Sequence, residues 1–333
     1  MSAPVPLRVA FAGTPEFALP ALRGLLHSQH QVVGVLTQPD RPSGRGRQLT
    51  APPVKQAAQS HVPPVPVAQP VALKEPADWA PLRAWRPDVL VVIAYGLIIP
   101  QPVLDLPALG CINVHASLLP RWRGAAPIER ALLAGDRETG LTVMRMEAGL
   151  DTGPMLLQER VPIEPHDTGA SLRARLADLS APLLLRALAG LAEGTLAAVP
   201  QPAQGVTYAR KLEKSEARID WQWPAEQIER LVRALPPWAR ADTVRIDPRT
   251  GAAERLIVHA ARIASEGACT PAAPGCIVQV LGKQAEGYIR VHCGEGCLDL
   301  LVLQRPGGAP QSAGVFARGQ HALAVGEQLG AAR

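Results

Sequence analysis

Two short apolar segments constrain the fold of this chain most strongly. Residues 88–94 (DVLVVIA) and 111–116 (CINVHA) are rich in β-branched residues and too short for ordinary helices, so they predict buried strands. Residues 7–12 and 31–37 have the same character, and apolar residues at helical spacing occur elsewhere, most clearly in 171–193. A repeated strand–helix–strand order predicts a parallel, doubly wound α/β sheet.

The composition and the pattern of the sequence change after Gly194. Residues 195–205 are rich in Pro, Ala, Gln and Gly, which is typical of a linker, and one helix near 225–235 then precedes many short strands. This pattern predicts a small β-barrel. We therefore expect a first, α/β domain over 1–194, a linker over 195–208 and a second domain over 209–333. With 333 residues, 47 % of them apolar, the chain can bury both cores.

The net charge, the cysteines and the N-terminal sequence limit the possible partners and the cellular compartment of this protein. The net charge of +5 is shared between the two halves and permits an anionic partner without requiring one. The cysteines number five, and an odd count in a chain of this length argues against a disulfide framework. The N-terminal MSAPVPLRVA lacks the pattern of a signal peptide, and the longest apolar run is far shorter than a membrane span. We expect a cytoplasmic protein with reduced cysteines that does not enter a membrane.

Cys293 and Cys297, next to His292, leave two interpretations open. They could form half of a zinc site, or they could flank the turn Gly294–Gly296 of a hairpin. The sequence contains no second pair of cysteines with comparable spacing, which favours the hairpin. We predict no metal.

Three polar residues carry the most specific chemical signal. Asn113 and His115 lie two apart at the end of a predicted strand, so their side chains share one face. Asp151 lies in the Gly-bounded loop GLDTG. An amide and an imidazolium can donate to a developing oxyanion, and a carboxylate can pair with the histidine or relay a proton. Direct attack by an amine needs no protein nucleophile, so the set suits acyl transfer, although each residue alone could be structural.

Longer stretches of sequence resemble the methionyl-tRNA formyltransferases. The resemblance includes the following segments: FAGTPEFALPAL, TQPDRPSGRGRQLTAPPVK, PDVLVVIAYGLIIP, GCINVHASLLPRWRGAAPIERALLAGD, TGLTVMRMEAGLDTGPML and TYARKLEKSEARIDW. The resemblance covers essentially the whole chain, although after about Thr243 it rests mainly on the pattern of residue types. The N-x-H, SLLP and DTG elements mark the wider folate-dependent superfamily, whereas PDRPSGRGR and SLLPRWRGAAPI are much more specific. The sequence PPWA at 236–239 departs from the usual pattern and puts only a local turn in doubt.

The resemblance implies a Rossmann-like formyltransferase domain followed by an OB-like, tRNA-binding barrel. It implies formyl transfer from 10-formyltetrahydrofolate to the α-amino group of initiator methionyl-tRNA, with Asn113, His115 and Asp151 as the catalytic trio. The folate co-substrate would contact two segments, comprising Ala94, Tyr95, Gly96, Leu97 and Ile98, and Ser117, Leu118, Leu119 and Pro120. The basic segment 38–50, which the residues alone predict to be a mobile loop, would contact the tRNA acceptor end through Arg41, Arg45 and Arg47. We expect a monomer.

Other functions remain open at this point. An amino-sugar formyltransferase or a 10-formyltetrahydrofolate hydrolase would use the same trio, but the arginine-rich segment and the complete SLLPRWRGAAPI argue against both. A tRNA- or folate-binding module without catalysis would not need a buried Asn/His/Asp set.

Overall fold

The computed structural model describes residues 5–43, 46, 48–265, 267–282, 287–318 and 322–330. The chain divides into two compact units, and two short segments from the first two-thirds of the chain belong to the second unit. The first unit comprises residues 1–128, 138–163 and 171–210, and the second comprises 129–137, 164–170 and 211–333.

The first unit is built on alternating strands and helices. Its strands are β1 (Arg8–Gly13), β2 (Gln31–Leu36), β3 (Arg41–Ser43), β4 (Gln48–Thr50), β5 (Val67–Ala68), β6 (Val89–Ile93), β7 (Cys111–His115), β8 (Arg123–Gly124), β9 (Glu138–Arg145), β10 (Met155–Pro162) and β11 (Tyr208–Ala209). The helices of this part of the chain are α1 (Leu19–Leu26), α2 (Pro53–Ser60), α3 (Ala80–Trp85), α4 (Gln101–Leu104), α5 (Pro127–Ala134) and α6 (Gly169–Ala192).

Seven of these strands form one sheet in the order β10-β9-β7-β6-β1-β2-β5. The five strands from β7 to β5 are parallel, whereas β9 is antiparallel to β7 and β10 is antiparallel to β9. Every residue of the central strand β6 is buried, as its continuous apolar sequence predicts. The Rossmann-like, mostly parallel α/β class is confirmed.

The basic segment after β2 differs from the mobile loop expected from its sequence. Its ends form the antiparallel pair β3–β4, in which Arg41 lies opposite Thr50. Asp40 anchors the start of this hairpin because its carboxylate accepts hydrogen bonds from Lys55 Nζ at 2.8 Å and Gln69 Nε2 at 2.7 Å. The prediction missed these contacts because both partners are distant in sequence.

The second unit contains an antiparallel sheet and few helices. Its elements are α7 (Ala225–Ala234), β12 (Asp242–Ile246), β13 (Ala253–Ile263), β14 (Ile277–Leu281), β15 (Tyr288–His292), β16 (Cys297–Gln304), β17 (Gln311–Ser312) and α8 (Ala313–Phe316). The strand order is β12-β13-β16-β15-β14, with β17 beside β16. Gln328 and Leu329 bridge to Cys276 and Arg245, so the C-terminal segment joins the two ends of the curled sheet. This arrangement confirms the small barrel-like second domain.

The cysteines of this unit show that the prediction of reduced cysteines is wrong for one pair. Cys293 and Cys297 flank a tight turn, as expected, but Cys297 forms a disulfide with Cys269, and the Cα atoms of the pair lie 5.6 Å apart. The fold brings them together because buried Arg290 donates to Ala268 O at 2.8 Å and holds that loop over the sheet. Burial raises the pKa of the Cys293 thiol to about 12, which disfavours the thiolate that a metal would need.

Helices in the described ranges are too short or too polar to cross a membrane.

Candidate active site

Strand β7 presents two polar side chains on one face of the sheet. Asn113 and His115 alternate with apolar residues of the strand, and His115 is only 6 % exposed. Polar groups buried in this way need partners. The partners come from the loop between β9 and β10 and from the segment that follows β7.

Asp151 joins the two β7 side chains. Its Oδ1 lies 3.5 Å from Asn113 Nδ2, and its Oδ2 lies 3.6 Å from His115 Nδ1. The backbone N–H of Gly124 donates to the same Oδ2 at 2.8 Å. The structure therefore brings the three sequence-predicted catalytic residues together around one carboxylate.

The imidazole ring of His115 is oriented from its other side. Its Nε2 lies 2.8 Å from Trp122 O. Because a carbonyl oxygen only accepts hydrogen bonds, this nitrogen carries a proton, and Nδ1 faces the Asp151 carboxylate. The ring is therefore held between Trp122 O on one side and the Asp151 carboxylate on the other.

The contact of Gly124 with Asp151 comes from strand β8 and the contact with His115 comes from Trp122, which directly precedes this strand, and β8 pairs with β11. Trp122 N donates to Thr207 Oγ1 and Arg123 N donates to Thr207 O, each at 2.9 Å. Gly124 has a φ of +118°, and a Cβ there would lie 2.8 Å from Ala209 O. Only glycine therefore allows β8 to lie this close to β11 while its N–H reaches Asp151.

Sequence reasoning missed one residue of this network. Gln201, within the segment predicted as a linker, donates to Asp151 O and Gly153 O and accepts from Arg123. A single glutamine in a Pro/Ala/Gln/Gly-rich stretch carries no local signal, because its importance depends on contacts about 50 and 80 residues away in sequence.

The first predicted folate segment follows β6. Ala94 (φ +48°) is exposed, Leu97 is half-buried and Ile98 is 89 % exposed. The Tyr95 ring instead points into the core, where burial raises the pKa of its hydroxyl, and its carbonyl accepts from Thr14 Oγ1 and Gln38 Nε2. A Cβ on Gly96 would meet Gln38 Nε2, so this turn closely contacts the segment after β2.

The second predicted folate segment follows β7, the parallel neighbour of β6. Ser117 is fully buried and donates to Arg121 O at 2.6 Å. The backbone N–H of Leu119 donates to Thr142 Oγ1 at 3.1 Å. Leu118 and Pro120 are half-buried. Both predicted segments thus begin at the carboxyl ends of adjacent parallel strands, where open α/β sheets bind ligands.

The predicted tRNA contacts are only partly described. Arg41 is exposed on β3, so its guanidinium is accessible to an anion. Arg45 and Arg47 lie outside the described residues.

Comparison with known protein families agrees with this site and fold. The family model described as "Formyl transferase" matches residues 7–188, and "Formyl transferase, C-terminal domain" matches residues 211–321. The class defined here is thus that of the formyl transferases.

Proteins of similar sequence show which family within the formyl transferases this chain belongs to. The chain is 55 % identical to the methionyl-tRNA formyltransferase of Pseudomonas syringae pv. syringae (strain B728a), over 98 % of this chain and 99 % of the relative. The chain belongs to the methionyl-tRNA formyltransferase family and is an enzyme of that family.

Solved structures support the fold. The methionyl-tRNA formyltransferase from Clostridium thermocellum has a TM-score of 0.54 and 14 % identity, over 79 % of this chain and 95 % of that one. The Helicobacter canadensis N-formyltransferase, in complex with folinic acid and dTDP-3-aminofucose, has a TM-score of 0.63 and 15 % identity, over 90 % of this chain and 99 % of that one.

Proposed function

We propose that this protein transfers the formyl group of 10-formyltetrahydrofolate to the α-amino group of initiator methionyl-tRNA. The observation that carries the proposal is the Asp151 carboxylate, which lies 3.5 Å from Asn113 Nδ2 and 3.6 Å from His115 Nδ1. Membership of the methionyl-tRNA formyltransferase family supports the choice of acceptor. The product, formylmethionyl-tRNA, serves translation initiation.

The trio has separate roles in the proposed reaction. The methionyl amine attacks the formyl carbon, and Asn113 Nδ2 and the protonated Nδ1 of His115 donate to the oxygen that becomes negative. Nδ1 can serve this role because it lies 3.6 Å from Asp151 Oδ2, too far for a close hydrogen bond, whereas Nε2 stays bound to Trp122 O. Asp151 assists removal of the proton that the methionyl nitrogen must lose, directly or through a water. The bond from the formyl carbon to N10 of the folate then breaks, and His115 returns a proton to N10.

The two segments beyond β6 and β7 are the proposed folate site. Ile98 offers an exposed apolar surface on which a planar ring could lie, and Ala94 and Leu97 extend it. The residues after β7, Ser117 to Pro120, form the other side. This assignment predicts contacts with Tyr95 and Gly96 through their backbone rather than through side chains.

The tRNA would contact two regions. The basic segment 38–50, whose sequence includes Arg41, Arg45 and Arg47, would meet the acceptor end, and the hydrogen bonds that hold Asp40 near its start support this role. Residues 209–333 would add a weakly basic RNA surface, whereas 1–194 would carry the chemistry and 195–208 would link the two. We also propose that the enzyme is a cytoplasmic monomer without a metal.

One assay tests the reaction. Purified protein is mixed with 10-formyltetrahydrofolate and methionyl initiator tRNA, and formylmethionyl-tRNA is measured. A dTDP-amino sugar in place of the tRNA, and a reaction without any acceptor, test the sugar transferase and the hydrolase. Formation of formylmethionyl-tRNA is expected; its absence alongside an active control enzyme would refute the proposal.

A variant pair tests the assigned roles. His115→Ala should lower kcat roughly 100- to 1000-fold, because each preorganised donor to an oxyanion contributes about that much. His166→Ala is the matched control, since His166 is an exposed histidine. Near-native turnover of His115→Ala would show that the role assigned to this ring is wrong.

A further inference from the structure

The side chain of Gln201 uses its whole hydrogen-bonding capacity within the active-site network. Its Nε2 donates to Asp151 O and to Gly153 O, each at 2.8 Å. Its Oε1 accepts from Nε and Nη2 of Arg123 at 3.0 and 2.7 Å. A primary amide has two N–H donors and one oxygen that accepts twice, so every one of these groups is engaged.

These contacts lie on both sides of the Asp151 carboxylate. On one side, Gln201 fixes the backbone of the Asp151 loop, where Asp151 has a φ of +50°. On the other side, it fixes Arg123, whose neighbour Gly124 donates to Asp151 Oδ2. The left-handed backbone is unfavourable for a residue other than glycine, so the loop needs external contacts to retain it.

We propose that Gln201 is a positioning residue for formyl transfer, which holds Asp151 in register with Asn113 and His115. This inference rests on the proposed function. It places part of the catalytic geometry in the segment that follows α6, which sequence reasoning treats as a connection between domains. Gln201 does not touch the reacting atoms, so it acts through Asp151.

The chemistry of the side chain allows a sharp choice of variants. Gln201→Ala removes all four hydrogen bonds. Gln201→Glu keeps the shape and the acceptors for Arg123 but replaces both donors by a carboxylate oxygen facing two carbonyl oxygens. If turnover depends on packing or on the Arg123 contact, Gln201→Glu should restore it relative to Gln201→Ala. If turnover depends on the two N–H donors that position Asp151, Gln201→Glu should not restore it. Gln204→Ala is the control, because Gln204 is exposed in the same segment.

Three measurements are made on the full chain. Steady-state formylation of methionyl-tRNA gives kcat and KM for both substrates, hydrogen exchange reports on peptides covering residues 149–153, and thermal unfolding reports on overall stability. We expect kcat to fall roughly 10- to 100-fold in both Gln201 variants, because a displacement of about 1 Å at a reacting group has effects of this size. KM should stay within about twofold, and exchange should increase in the Asp151 loop and not across the chain.

The inference is overturned if Gln201→Glu turns over within about threefold of the parent chain, or if exchange at 149–153 is unchanged. A uniform rise in exchange with a lowered unfolding temperature would also overturn it, since it would show a merely structural role. If the parent chain itself does not formylate methionyl-tRNA, the proposed function fails, and the exchange measurement alone still decides whether Gln201 holds the loop.

Discussion

Gly124→Ala tests whether the backbone contact to Asp151 matters for turnover. A Cβ at this position would lie 2.8 Å from Ala209 O, whereas ordinary contact begins at 3.4 Å, so β8 must move by about 0.6 Å. The positive φ adds about 1–2 kcal/mol of strain. The displaced peptide is the one that donates to Asp151 Oδ2 at 2.8 Å, and a hydrogen bond to a charged group contributes about 1.5–3 kcal/mol. We expect kcat for methionyl-tRNA formylation to fall roughly 10- to 100-fold.

Gly205→Ala is the matched control. Gly205 also has a positive φ, of +84°, but its Cβ would meet no atom within 4 Å. It should lose about 1 kcal/mol of stability and keep its turnover within about twofold. Urea unfolding and steady-state kinetics on both variants separate the two effects. Equal kcat values for the two variants would refute the reasoning that links β8 to Asp151.

Three further perturbations follow from contacts elsewhere in the molecule. Asp299→Asn should lower the free energy of unfolding by about 3–5 kcal/mol, because it leaves buried Arg290 without its carboxylate; Glu226→Gln, which removes an exposed partner of Arg230, should cost less than about 1 kcal/mol in the same urea titration. Cys269→Ser should destabilise the oxidised protein by about 3–4 kcal/mol through loss of a loop closure of 28 residues, whereas Cys276→Ser should not; equal unfolding midpoints under non-reducing conditions would contradict the pairing. Hydrogen bonds from Lys55 and Gln69 lower the pKa of Asp40 below its ordinary 3.8. This contact therefore stabilises the fold above pH 3.8, and its contribution is lost as the pH falls further. The difference in the free energy of unfolding between the parent and Lys55→Met should shrink on acidification from pH 6 to 3, and a constant difference would contradict this.

The sequence predicted the parts of the structure that depend on local pattern. The short apolar sequences of β6 and β7 correctly predicted buried strands, and the spacing of Asn113 and His115 correctly predicted a shared face. The antiparallel direction of β9 was not predicted, because strand direction depends on pairing rather than on local pattern.

Contacts between distant residues could not be predicted in the same way. The Cys269–Cys297 pair forms where Arg290 holds the preceding loop, and nothing near Cys269 in the sequence indicates this. Gln201 is missed for the same reason. Its residue type is common in linkers, and its partners become its neighbours only after β8, β11 and the Asp151 loop have assembled.

The positions of backbone strain support the assignment of the site independently of sequence resemblance. In the described part of the chain, the non-glycine residues with positive φ are Arg86, Ala94, Trp122 and Asp151. Arg86 ends helix α3, a common place for this conformation.

The other three lie in the loops after β6, β7 and β9, and each such residue costs about 1–3 kcal/mol. Such strain persists only where surrounding contacts impose it. Trp122 O and the Asp151 carboxylate lie on opposite sides of the His115 ring. The bond of Trp122 N to Thr207 and the bond of Asp151 O to Gln201 therefore hold the two groups that fix the imidazole. Removing any one of these contacts should therefore affect the orientation of His115 before it affects the stability of the fold.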